Sequence, residues 1–290
     1  MWFLLLIISY SIESGRMDII REHNKELVKF SGGVVVKDSS LVIQAPEGSY
    51  NESQDILVLI GKVIATMKER KLEAQKLLLE QKGNVAKAYG NVIVKENSTL
   101  LKADSVYLTE GRITAYGKVF YRNIEDSIEV YAGFLMSTND RTFIEGEPLI
   151  KFLKRDTLVV KAEKFRIENS SIQGYDSVNI AGGQMKVNAD TLFFNEDSSN
   201  GILTGGCSIQ WKDGNGKSDT LKFFLTEQNE LDSVIMLSEA FVHNKSEKNE
   251  ILITSPLIII KIKSGVLKYL RATPGEGIFK ELHNDSTKSN

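Results

Sequence analysis

Little in this chain of 290 residues invites covalent or metal chemistry. Its single cysteine, Cys207, excludes an intrachain disulfide and any zinc cage built on cysteine. Its three histidines, His23, His243 and His283, stand far apart and outside the strand positions identified below. They assemble neither a metal-ligand set nor a catalytic triad, and each is expected at the surface. No charge dominates: 36 Lys and Arg against 38 Asp and Glu leave a net charge of −2, without the basic footprint of a nucleic-acid binder. Only four prolines interrupt the chain. After the first residues no apolar run approaches the roughly 20 residues of a membrane-spanning helix.

The N-terminus is the exception to that last absence. Residues Trp2 to Ile8 are uninterruptedly apolar, the length of a signal-peptide core, and Ser9-Tyr10-Ser11 supplies small residues for cleavage. No Lys or Arg precedes the run. Residues 1–15 therefore read as a signal peptide or N-terminal anchor, the alternative being a buried first strand. The stretch Glu13–Lys25 that follows reads as polar and helix-like. At the other end, residues 283–290 read as a polar, disordered tail.

What the sequence has is a folded composition, 42% hydrophobic and 26% charged, and a period. Small residues recur at Ala45, Ala74, Ala103, Ala132, Ala162, Ala189, Ser218 and Ser255, at intervals of 29, 29, 29, 30, 27, 29 and 37. A second marker recurs at Gly32, Gly61, Gly90, Gly117, Gly146, Gly174 and Gly205. Two markers keeping one period describe an array of about eight repeats. After each glycine, apolar residues alternate with polar ones, as in Val63 and Ala65 or Val92 and Val94. Before each small residue, Leu72, Leu101, Val130, Val160 and Val187 hold the same phase. Both runs read as half-buried strands.

Beyond the small marker the phase slips by one residue, to Leu77 and Leu79, Val106 and Leu108, Phe165 and Ile167, Leu192 and Phe194. A one-residue slip in a two-residue period turns the inner face outward unless the chain bulges or turns a corner. Repetition of the slip predicts strands that bend at the marker and serve two facing sheets. Pro46 and Pro256 follow the marker in the first and last repeats only, which predicts edge strands there.

With its "YGNVIV…LLKADSVYL" and "MKVNADTLFF" phrases, the chain resembles the OstA-like family, which includes the periplasmic lipopolysaccharide-transport protein LptA. "LVVKAEKFRI" and "LEAQKLLL" match the same phrase loosely, and the resemblance covers residues 27–275. It implies an all-β fold: an open β-jellyroll of about eight two-strand repeats, with two facing antiparallel sheets around an apolar groove. It implies a periplasmic, non-catalytic protein that carries acyl chains of lipopolysaccharide or a related glycolipid towards the outer membrane. Partners would be other OstA-like jellyroll proteins of the inner- and outer-membrane machinery, with end-to-end self-association through the end strands at 29–36 and 251–263. The groove wall would hold Val63, Leu72, Val92, Leu101, Val119, Val130, Val160 and Val187.

The residues suggest no enzyme and no cofactor. Asp104, Glu163, Asp190 and Asp219 recur at the repeat spacing and read as solvated corner residues rather than a cation ladder. Gly182-Gly183 and Gly205-Gly206 lack the helix and lysine of a phosphate loop. The run Lys68–Lys71 reads as the polar tip of a hairpin. The competing architecture is a parallel β-helix that binds or cleaves polysaccharide, whose coils usually hold three strands and a stacked cluster of Asp, Arg or His. Two strands per repeat and no such cluster favour the groove.

Overall fold

A computed structural model describes residues 10–22, 25–38, 40–153, 157–183, 185–226, 231–245, 249–263 and 266–281. The described chain is almost entirely antiparallel β-structure in two units, one closing at Gly146 and the other opening at Glu147. The first holds β1 (Ser11–Glu22), β2 (Lys25–Lys37), β3 (Val42–Ala45), β4 (Glu47–Asn51), β5 (Ile56–Met67) and β6 (Arg70–Glu80). It continues with β7 (Val85–Glu96), β8 (Thr99–Thr109), β9 (Arg112–Asn123), β10 (Ile128–Thr138) and β11 (Arg141–Glu145). The second holds β12 (Leu149–Phe152), β13 (Leu158–Lys161), β14 (Lys164–Glu168), β15 (Ser171–Gly182), β16 (Met185–Asn195) and β17 (Asn200–Trp211). It ends with β18 (Gly214–Leu225), β19 (Leu231–Lys245), β20 (Asn249–Lys263), β21 (Val266–Ala272) and β22 (Glu276–Glu281).

Within each unit a strand pairs with its neighbours in the chain. β5 through β10 form one meander, and β15 through β20 another. Where a strand is split, its halves share a partner. β3 and β4 lie end to end against β2, and β21 and β22 lie against the two halves of β20. The antiparallel pairing removes the parallel β-helix.

The long strands bend at the marker, and the sequence dictates where. In β6 the buried residues are Leu72 and Ala74, then Leu77 and Leu79; in β8 they are Leu101 and Ala103, then Val106 and Leu108. The three-residue step at the small marker coincides with a break in the ladder register, as expected of a bulge. The partner strand bends at its glycine, where the backbone turns left-handed: Gly90 at φ 80°, Gly117 at φ 70°, Gly205 at φ 82°.

The two markers are contact partners. A Cβ on Gly117 would run into the carboxylate of Asp104, the residue after marker Ala103, and one on Gly205 would run into Asp190. Only glycine accepts both the positive φ and this close approach.

Each strand thus contributes one arm to each of two walls. The first wall of the first unit presents Leu57, Leu59, Leu77, Ala88, Val106 and Ile113; the second presents Val34, Val63, Leu72, Val92 and Leu101. All belong to one contiguous buried cluster. No α-helix occurs among the described residues, so each wall's apolar face is covered by the other wall of the same folded sheet. This is the predicted all-β jellyroll.

Three local expectations are corrected. The stretch Glu13–Lys25 is not helical: Ser11–Glu22 forms β1, paired with β2 along its length. β1 therefore covers β2, and residues 29–36 are not an edge. Residues 251–263 are likewise covered, by β19 on one side and by β21 and β22 on the other.

Pro46 and Pro256 accordingly mark bends rather than edges. Pro46 separates β3 from β4 opposite Gly61, and its carbonyl accepts from Gly33 N–H at 3.1 Å. Pro256 lies in the bend of β20, opposite Ser238 and Glu239. A bulge, like an edge, needs no donor from proline. Gly174 is not a corner either. It is buried against Phe165, and the bend of β15 is made by Asp176 and Ser177, at φ 60° and 55°. The apolar run Trp2–Ile8 and the tail 283–290 lie outside the described residues, as do His23 and His283.

Candidate functional site

The candidate site is the space between the walls. The cross-strand register sets its second wall in rows. In the first unit one row reads Val36, Ile43, Ala65, Leu72, Val94, Leu101, Tyr121 and Val130. Val63, Val92 and Val119 stand in the next row towards the bend, facing Ala74, Ala103 and Ala132. In the second unit Ile150, Val160, Ile180, Val187 and Ile209 form the corresponding row. All eight residues singled out from the sequence therefore lie on the inward face of the second wall of their own unit.

They are core residues, each between 0 and 4% exposed. Burial this complete leaves no open groove at these positions, and in the first unit both walls belong to one buried cluster. The facing residues, such as Leu57, Leu77, Val106 and Ile113, were absent from the predicted site. For Leu77 and Val106 the signal was the slipped phase after the small marker, whereas Leu57 and Ile113 lie before the glycine marker.

The interior is chemically quiet. Among the described residues the buried polar side chains are Thr114, Ser137, Ser218, Asn244 and Ser255, none of them ionisable. Asn244 accepts from Trp211 Nε1 at 3.0 Å, which satisfies the indole. Cys207 is buried, and desolvation pushes its thiol up to about 11, so it stays neutral at ordinary pH. Among the described residues no group of three or more His, Cys, Asp or Glu is placed to hold a metal ion. His243 faces outward from β19 and bonds Glu250 through Nε2 at 2.9 Å.

The packing loosens at the ends. At the start of the first unit, Met17 and Ile19 on β1 share the inward face with Phe30 and Val28, yet are 52% and 54% exposed. At the end of the second unit β20 parts from itself, one half pairing β22 and the other β21. A cavity of about 440 Å³ opens there, lined by Ile251, Ile253, Leu267 and Leu270 together with Lys268, Gly277 and the outward-registered Tyr269 and Ile278. Ile253 continues the inner row through Val242, and Leu270 faces the buried Ile260. The cavity is therefore the mouth of the apolar interior.

A second cavity, of about 480 Å³, lies at the outer bend of β5 to β7 among Ile60, Lys62, Glu73, Gln75, Asn91 and Ile93. Glu73 is held below the usual carboxylate range by its hydrogen bond from Lys71 and by the charges of Lys95 and Lys62. Those lysines are mutual neighbours of one carboxylate and are solvated, consistent with a structural ion pair at 2.7 Å.

No family model matches the chain, and no curated protein matches it. Among solved structures it is similar to LptH of Pseudomonas aeruginosa, an LptA-homologous periplasmic component of the lipopolysaccharide transport device. Identity is 14% over 43% of this chain and 75% of that one, with a TM-score of 0.22. At that score the likeness carries no argument, and the fold rests on the strand pairing itself.

Proposed function

We propose that the protein is a non-catalytic periplasmic lipid carrier. It holds acyl chains of lipopolysaccharide, or of a related outer-membrane glycolipid, between its two walls. The observation that carries this reading is an interior that is uncharged among the described residues and continues into a mouth at Ile251, Ile253, Leu267 and Leu270, with Lys268 at its rim. The wall formed by Val63, Leu72, Val92, Leu101, Val119, Val130, Val160 and Val187 would contact the chains.

Because the walls touch, loading requires them to part and exchange wall–wall contacts for wall–lipid contacts. A methylene buried from water gains about 0.8 kcal/mol, but one leaving a bilayer for this interior gains almost nothing. Transfer is therefore nearly balanced, which suits a carrier that must also release its cargo. Jellyroll partners in the two membranes, and further copies of this chain, would dock at the exposed edges of β1, β21 and β22.

Photo-crosslinking from probes at Leu101, Ile253 and Lys102, in cells with labelled outer-membrane lipid, tests the reading. Lipid adducts are expected at Ile253 and Leu101 and not at Lys102, which faces outward. Equal adducts at Lys102, or none at either apolar site, would overturn it.

A further inference from the structure

An antiparallel sheet with one face in a core normally turns a polar face to water. Across β15 to β17 of the second unit the outside of the second wall obeys this rule, although the same rows run on through Phe241, Leu252 and Ile278. Asn179, Asn188 and Ser208 hydrogen-bond in series across β15, β16 and β17, beside Lys186, Gln210 and Asn215.

The outside of the first wall does not. From β16 to β21 its central row reads Phe193, Ile202, Lys222, Ile235, Ile259 and Arg271. The row beside it carries Phe224, Lys261 and Tyr269, and the row nearer the bend ends in Leu237 and Leu257. Phe193, Ile202, Phe224 and Tyr269 are 36–47% exposed. No carboxylate stands in these three rows between β16 and β21, and Lys222, Lys261 and Arg271 form no ion pair among the described residues. The first unit differs: its outer aromatic row, Tyr89, Tyr116 and Phe134, runs between Glu47 and Glu145.

We propose that this outer face of the second unit seats on a bilayer surface bearing anionic phosphate headgroups. Its rings and branched aliphatics enter the headgroup boundary, where the amphipathic ring of Tyr269 is at home. The three cations, without an ion pair among the described residues, meet the negative surface potential. Charge complementarity selects this occupant over a second copy of the chain, whose own face would oppose lysine to lysine. Apart from Tyr269, which also borders the mouth at β20 to β22, the face lies outside the walls, so this binding is separate from lipid carriage between them.

The test is sedimentation of the full-length protein with phosphatidylglycerol vesicles and with phosphatidylcholine vesicles. Binding is expected on phosphatidylglycerol, to weaken with salt, and to fall roughly fivefold for each cation neutralised in Lys222→Gln, Lys261→Gln and Arg271→Gln. Phe224→Ser should weaken it too while leaving adducts at Leu101 unchanged, which separates this face from the interior. Lys186→Gln, on the polar wall, should change nothing. Three results would overturn the proposal: no binding to phosphatidylglycerol, equal binding to both vesicles, or equal loss with Lys186→Gln. Concentration-dependent self-association abolished by Phe224→Ser, without vesicle binding, would assign the face to a second copy instead.

Discussion

The two units build the same double wall with different materials. The first fills its interior with alanine, valine, leucine and isoleucine: Ala65, Ala74, Ala86, Ala88, Ala103 and Ala115 are all buried, and Phe30 is its one buried ring among the described residues. The second uses large side chains and gives several of them a glycine to lie on. Phe165 faces Gly174, Phe223 faces Gly201, Trp211 faces Gly214, and Met236 reaches over Gly216. Phe194 stacks on Phe223 with ring centres 6.0 Å apart and planes 7° from parallel. A fixed spacing between sheets can be filled by evenly sized residues or by rings set into glycine sockets. The first solution leaves a smooth interior, whereas the second locks each ring to one place.

The sharpest way to break the first unit is Leu101→Glu. Leu101 is 3% exposed in an apolar cluster, so an unpaired carboxylate there costs several kcal/mol, and cooperative loss of the unit is expected by hydrogen exchange. Survival of the fold with only lipid binding lost would mean that the walls stand apart in solution.

In the second unit Phe223→Ala should cost about 3–5 kcal/mol, because it empties a socket that stiff neighbours cannot close. Trp211 fluorescence in a Trp2→Phe background during urea unfolding measures it. Overpacking compares the two materials directly. Gly201→Ala pushes a methyl into the Phe223 ring, and Ala88→Leu crowds a position with no exposure. Each should cost about 1–3 kcal/mol by denaturant midpoint.

High pH separates the units. The Cys207 thiol moves from 9.0 to about 11, chiefly through desolvation. The Tyr10 and Tyr89 hydroxyls move from 10.0 to about 12, again chiefly through burial. A folded value above the unfolded one gives stability that is complete below the unfolded value and lost as pH rises through the folded one. The second unit should therefore weaken first, between pH 9 and 11, and the first unit between pH 10 and 12. A common transition for Trp211 fluorescence and for tyrosine absorbance would remove that distinction. The smallest effect is expected from Lys102→Glu. It faces water with its ammonium 5.9 Å from the Phe120 ring centre, so a melting temperature within a degree or two of the parent is expected.

The bends were legible because their requirements are chemical. Ala103 is small where the strand bulges, and Gly117 is glycine where φ is positive and Asp104 lies over it. Gly174 misled because a glycine under a ring leaves the same letter as a glycine at a corner. β1 was hidden for a different reason. Met17 and Ile19 face inward without being buried, and Gly15 and Arg16 fall at a register shift, so the stretch shows no clean alternation. For the candidate site, alternation identified the face on which Val92 and Leu101 stand. Alternation along a strand says nothing of the distance to the opposite wall, so contact between the walls was beyond its reach. The outer row from Phe193 to Arg271 was invisible for the same reason, since it appears only when six strands are set in register.

The pairing of each strand with its predecessor in the chain has a consequence for how the protein is made. Nearly all ladder contacts close over a short tip, so the relative contact order is low for an all-β protein, and little loop-closure entropy precedes each gain. Hairpins can form in the order in which the chain emerges, each templated by the edge left by the one before. Besides the standing edge of β1, a growing chain then carries an unpaired edge that passes forward with every hairpin as far as β21 and β22. A stalled or truncated chain would present that edge wherever growth stopped, making incomplete copies the ones most prone to aggregate.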